Sequence, residues 1–326
     1  MRRRFRVRRR WVAAAALLPG LAAVPMTFTA PMVGAQDAEV RPAKMKAQER
    51  VVRIGGATRV RGRFPGAADK LVLVEFRRQG SENWSLARRD RTTGRGRFGE
   101  RIRPRANGRW RGRLANPRVR ETTEDEALGE TTTSRRLDPA TPARRVLVRS
   151  RTTASVATRN AVVGSGVRIS GRVRPGGPSR RVEIRAGGRS MTVRTSSGGR
   201  FSKTWRPGRT GTHRVRVRAK ANSRALGSGA GAGTVQAFRP AAASWYGPGF
   251  YGNRTACGQT LGTGTLGVAH KTMPCGTRVT LRYNGREVTV PVIDRGPYAH
   301  GREYDLTGAT RSRLGFGSTG TVLSSR

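Results

Sequence analysis

The side chains of this 326-residue chain that are able to move a proton or grip a small substrate crowd into its last quarter, from about residue 242. Its carboxylates there are Glu287, Asp294, Glu303 and Asp305, and His270 and His300 lie among them. Asp294 opens the run Asp294-Arg295-Gly296-Pro297-Tyr298, and Asp305 sits within Tyr304-Asp305-Leu306. Asp and His are common general acids and bases. An Asp ahead of Arg-Gly-Pro serves equally well as a turn former, so type alone does not make Asp294 catalytic. Glu287 falls in the alternating stretch Arg286–Val290 and reads as solvated, and His300 reads as exposed. No G-x-S-x-G motif marks a serine nucleophile. Cys257 and Cys275 are the only cysteines. In an exported chain they are a candidate disulfide, and closing that loop is worth on the order of 3 kcal/mol. No further ligand stands at metal-site spacing, so no metal and no organic cofactor is implied.

The N-terminus points to export. Met1–Arg10 is a basic region, Trp11 to about Val24 is apolar, and small residues follow to Val33-Gly34-Ala35. This is the pattern of a secretory signal over 1–35. Pro19-Gly20 and Pro25 break the apolar run short of the ~20 residues that a span needs, so no membrane anchor is expected after cleavage. The predicted location is extracytoplasmic, at the cell wall.

The elements that must position the last quarter read as strands. With 35% apolar residues and 43 Gly, the cores are expected to be small and β-type. Short alternating segments begin near residue 50 and include Leu71–Phe76, Val167–Val173, Arg181–Arg185 and His213–Ala219. "VRGRFPG" at 60–66 resembles "ISGRVRPG" at 169–176, which suggests a degenerate repeat of two immunoglobulin-like β-sandwich modules, 50–120 and 143–222. The acidic, Thr-rich stretch 121–142 reads as a linker between them. Residues 223–241, with Gly227-Ser228-Gly229-Ala230-Gly231-Ala232-Gly233, read as a second, flexible linker before a domain at 242–326. His213, in an Arg-rich strand, is expected at the surface or a sheet edge.

The net charge is +47, from 60 Arg and six Lys against 19 acidic residues. The last domain accounts for a surplus of only six, and the other 41 charges sit upstream. An Arg-only bias arises from GC-rich codon usage as readily as from selection for an anionic partner. No aromatic-lined basic groove or nucleic-acid motif is present, so nucleic acid is not the expected partner. Retention on anionic wall polymers through the Arg-rich modules fits an exported chain better, and it would weaken with salt.

From Ser244 onward the chain reads "SWYGPGFYG", then "AHKTMPCGT", "DRGPY" and "YDL", in that order. This combination resembles the RlpA-like family of septal-ring lytic transglycosylases, distant relatives of expansins and barwin-type domains. The resemblance covers about 85 residues. It implies a six-stranded double-psi β-barrel after the two sandwiches, and cleavage of peptidoglycan glycan strands with a 1,6-anhydro product. It also implies Asp294 as the acid/base, Asp305 as a second acid, and His270 as a residue that holds Asp294 or binds substrate. Tyr246, Phe250, Tyr251, Gln259, Arg295 and Tyr298 would contact the glycan. The chain departs from the family at Gln259, where a functional Glu is usual. An amide hydrogen-bonds a sugar but transfers no proton, so an expansin-like protein that binds or loosens the wall without cleaving it is the competing reading.

Overall fold

The computed structural model describes residues 42–125, 129–177 and 179–326; the predicted signal at 1–35 lies outside them. The regular elements of the described chain are all strands but for one short helix. Its buried apolar side chains form three separate cores, running from Ala43 to Val146, from Ala161 to Val235 and from Ala241 to Val322.

The first core lies between two sheets. One contains β1 (Lys44–Ala47), β3 (Thr58–Arg63) and β6 (Arg97–Ile102). The other contains β2 (Val51–Arg53), β10 (Arg144–Arg149), β7 (Gly108–Leu114), β4 (Leu71–Arg78) and β5 (Ser85–Arg91), in that order. The second module repeats the plan. β11 (Arg151–Val156), β13 (Val167–Arg174) and β16 (Arg200–Trp205) form one sheet. β12 (Asn160–Val162), β18 (Ser228–Tyr246), β17 (Gly211–Ala219), β14 (Arg181–Ala186) and β15 (Arg189–Arg194) form the other. Even the parallel contact recurs, as β2 with β10 and β12 with β18.

The repeat seen in sequence has a packing cause. Gly62 of β3 pairs with Phe98 of β6, and Gly171 of β13 pairs with Phe201 of β16. At either glycine a Cβ would run into the partner's aromatic ring. The ring lies over the bare backbone and fills the core there.

Both stretches read as linkers are strands instead. Within 121–142, β8 (Arg118–Asp125) and β9 (Gly129–Arg136) form an antiparallel hairpin in which Thr122 faces Thr132. β-branched Thr suits a pleated ladder, and the acidic residues between hid that propensity. The residues from 144 to 149, placed by sequence in the second module, are the closing strand of the first. The Gly/Ala/Ser run at 223–241 supplies β18, whose 19 residues extend about 60 Å. Its first part pairs with β17 and closes the second module; its last part enters the third core. A strand poor in side chains holds there because β17 offers it a full ladder of backbone partners.

Beyond β18 come β19 (Val268–His270), β20 (Arg278–Tyr283), β21 (Arg286–Asp294), β22 (Tyr304–Thr307), the helix α1 (Gly308–Leu314) and β23 (Gly320–Ser324). β18 pairs with β22, β22 with β19, β19 with β21, β21 with β20, β20 with β23, and β23 with β18. Each of the six strands therefore has two hydrogen-bonded neighbours. Val268, Val279, Leu281, Val290, Leu306 and Val322 are fully buried among them.

Candidate active site

The register of the third sheet puts the two candidate acids on one line. Ser244 of β18 pairs with Asp305 of β22, Asp305 pairs with Ala269 of β19, and Ala269 pairs with Asp294 of β21. Two strand spacings separate the Asp backbones, about 10 Å. A register shift at β19 and β21 carries Asp294 into this line in place of its neighbour. Successive residues of a strand face opposite sides. Tyr304 and Leu306 turn into the core, so Asp305 between them turns outward, half-buried.

The two carboxylates sit in different surroundings. Oδ1 of Asp294 accepts from the backbone N–H groups of Ala256 and Arg295, each at 2.8 Å. Asp305 accepts from the hydroxyl of Ser244 at 2.7 Å. Burial pushes the Asp305 carboxyl above the ordinary range; the Ser244 hydrogen bond and the charge of Arg302 oppose that, and the negative charge of Asp294 adds to it. Tyr246 lies two residues beyond Ser244 on the same face. Its hydroxyl is buried near the Asp294 carboxylate, without a well-formed hydrogen bond. Burial, then the charge of Asp294 and a hydrogen bond toward it, then the charge of Asp305, push its pKa up, so it stays protonated. A buried donor held this loosely beside an acid is one that a bound ligand's oxygen can engage.

His270 does not join them. Its ring packs against Tyr304 at 5.3 Å, on the core side of the sheet. Nδ1 accepts from the backbone N–H groups of Thr272 and Met273 at 3.1 and 3.0 Å, which leaves the ring proton on Nε2. Nε2 lies 3.8 Å from Glu303, itself bound at both oxygens by Arg239. Burial lowers the imidazole's pKa, so it stands neutral. The expectation that His270 holds Asp294 is thus corrected: alternation along β19 turns it away, and it braces the 271–273 turn and the start of β22.

Arg295, expected to contact the glycan, is half-buried and tied to the scaffold by its guanidinium. Its guanidinium donates to the carbonyls of Met273 at 3.0 Å and His270 at 3.4 Å, and it reaches Sγ of Cys275 at 3.5 Å. Cys257 and Cys275 are joined in a disulfide, with Cα atoms 5.8 Å apart. The bridge ties the loop that carries Ala256, and with it the Asp294 contact, to the turn held by Arg295. Gln259 is exposed in the same loop, its carbonyl accepting from Thr255 N–H at 2.8 Å.

Three of the aromatic residues cluster, and a fourth stands on a separate loop. The rings of Tyr246 and Phe250 meet edge to face, 6.0 Å apart. Phe250 is 55% exposed and Tyr251 37%. A side chain at Gly247 or Gly308 would collide with the Tyr251 hydroxyl, so both positions must stay bare for the ring to lie there. Tyr298 is 82% exposed on the loop after Asp294. Ser244, Glu303 and Arg239 were not singled out by sequence. Ser244 was accessible to it, since Ser244 and Tyr246 share a face of any strand through them; the other two depend on long-range pairing. Among the described residues no cluster of three or more His, Cys, Asp or Glu is set to hold a metal. None of their helices is long and apolar enough to cross a membrane.

Against known proteins, a family described as "Lytic transglycolase" matches residues 240–323. A probable endolytic peptidoglycan transglycosylase RlpA of Synechocystis is 44% identical over 89 residues, which are 27% of this chain and 28% of that protein. The Campylobacter jejuni endolytic peptidoglycan transglycosylase RlpA is 46% identical over 82 residues, 24% of this chain and 30% of that one. A probable one from Aquifex aeolicus is 42% identical over 82 residues, covering 36% of its length. The likeness thus spans about a third of each of these relatives and is confined to the C-terminal domain here.

Proposed function

We infer that this chain, whose C-terminal domain is RlpA-like, is an exported lytic transglycosylase that cuts peptidoglycan glycan strands between N-acetylmuramic acid and N-acetylglucosamine. The ring of six strand pairings is read as a closed double-psi barrel, with the two sandwich modules as its carrier. The observation that carries the chemistry is the line Ser244, Asp305, Ala269, Asp294, which holds a carboxyl of raised pKa beside an acid bound by two backbone amides.

Asp305 is assigned the proton transfers, in place of Asp294. As the neutral acid it gives its proton to the bridging oxygen while the bond from that oxygen to C1 of the muramic residue breaks. The carboxylate of Asp294 stabilises the positive charge that develops at C1 and the ring oxygen. The 6-hydroxyl of the same sugar then bonds to C1, and its proton passes to Asp305, which is ready for another turn. Atoms balance without water, so no second carboxylate is needed to activate one, and the loss of Glu at Gln259 is tolerated. Tyr246 donates its O–H to the sugar, and Phe250, Tyr251 and Tyr298 offer rings for the pyranose faces.

The test is to incubate the purified full chain with sacculi and with peptide-stripped glycan strands, then weigh the soluble products. Ends lighter by one water than hydrolysed ends support the lyase. Gln259 favours a second reading, a non-catalytic wall-binding protein. Sedimentation with sacculi and no release of any product would establish that one instead.

A further inference from the structure

The upstream charge is not spread evenly. On β17, Arg214, Arg216 and Arg218 alternate with buried His213, Val215 and Val217, so three guanidinium groups stand on one face at a period of about 7 Å. Arg185 of β14 stands behind Arg216, its cross-strand partner, and Arg149 closes one end. On the other side two of the three partners are bare: Arg218 pairs with Gly229 of β18 and Arg216 with Gly231, while Arg214 pairs with Thr234. The result is a trough of about 1050 Å³ with arginine walls and a glycine floor. A Cβ at Gly231 would meet nothing within 4 Å, so the floor is open.

The trough lacks counter-charge. Glu183 is its single acidic lining residue, and it is engaged by Arg185 at 2.6 Å and Lys220 at 2.8 Å. Among the described residues, Arg149, Arg214, Arg216 and Arg218 make no ion pair. Like charges held at alternate positions of one strand repel, a cost that a bound polyanion removes.

We propose that this trough of the second module binds a linear phosphodiester polyanion of the polyol-phosphate kind, laid along β17 and β18. A phosphodiester keeps its charge at any pH that an exported protein meets, and it turns two free oxygens toward each guanidinium fork. Nucleic acid is disfavoured because no aromatic side chain lines the trough for a base to stack on. A bilayer is disfavoured because the lining offers no large apolar side chain to insert beyond Leu226 and two buried-face valines. This inference does not rest on the catalytic reading of the C-terminal domain.

The test measures binding of the full chain to a labelled synthetic glycerol-phosphate oligomer by fluorescence anisotropy, across a salt series. R214Q/R216Q/R218Q should weaken binding about tenfold or more. It should also flatten the log K against log salt slope by about 2, at ~0.7 per lost contact on a flexible strand. R88Q/R89Q/R101Q removes the same charge from exposed sites on the first module and should cost about twofold at most. Gly231→Val fills the floor without altering charge and should weaken binding as well; melting temperatures verify that each variant is folded. Equal losses in the two triple variants would overturn the proposal in favour of diffuse charge. Tighter binding of single-stranded DNA of equal charge, or binding only to phosphatidylglycerol vesicles, would overturn it in favour of those partners.

Discussion

Replacing Ser244 with Ala removes one hydroxyl and should move the pH at which the reaction fails. Ser244 is buried, and its O–H donates to the Asp305 carboxylate at 2.7 Å. A hydrogen bond to a charged group is worth about 1.5–3 kcal/mol. Asp305 is half-buried, so solvent screening favours the lower end. About 1.4 kcal/mol is one pH unit in an acid's ionisation. Without Ser244 the ionised form loses its donor, so the acid holds its proton to higher pH. The high-pH limb of the rate profile should therefore move up by about one unit in Ser244→Ala, while the maximal rate changes little. Initial rates of anhydro-end release from soluble glycan strands, measured from acid to alkaline pH, read this directly. A limb that stays in place in a variant of unchanged melting temperature, or moves to lower pH, would refute Asp305 as the group that must be protonated.

Reducing the Cys257–Cys275 bridge, or the double substitution to Ser, opens an 18-residue loop and should cost about 3 kcal/mol, read as a lower melting temperature. It should also lower turnover, since the same loop carries the Ala256 amide that holds Asp294. Gly171→Ala forces a methyl into the Thr153 carbonyl and the Phe201 ring and should destabilise the second module by about 1–3 kcal/mol. Phe201→Leu in the same chain removes the ring contact but not the one with the Thr153 carbonyl, so it should recover only a minor part of that in a denaturant titration. Burial holds the His270 imidazole below its ordinary 6.5, so below that value the unfolded chain takes a proton that the native state refuses. Stability should fall as pH drops through 6.5 toward the lower native value. His270→Gln should flatten that part of the curve, whatever its own cost.

Much of this was legible where the signal is local. The alternation of β17 follows from Val215, Val217 and the arginines between them. The same parity puts His213 inside, against Trp205 at 5.4 Å with Nε2 bonded to the Arg209 carbonyl; the expectation of a surface residue overlooked it. The motifs around Asp294 and Asp305 located the acids but not their line, which needs the pairing of β22, β19 and β21, with Ala269 and Asp305 36 residues apart in sequence. The same long-range register turns His270 to the Tyr304 side, out of reach of Asp294. β18 escaped because composition is silent about a strand whose partner, not its own side chains, defines it. A barrel cut from the chain at 242 would begin inside that strand, so the assays use the whole protein.

The central claim is that Asp305 moves the proton, and mass spectrometry of sacculus digests by the native chain, Asp305→Asn and Asp294→Asn tests it most directly. The native chain should release 1,6-anhydro-muramyl ends. Asp305→Asn should still sediment with sacculi yet release such ends about 100-fold to 10,000-fold more slowly, the usual worth of a general acid. Asp294→Asn should be slowed with its high-pH limb moved to lower pH, since the charge that helps Asp305 keep its proton is gone. Anhydro ends formed by Asp305→Asn at the native rate, or native products carrying an added water, would contradict the account.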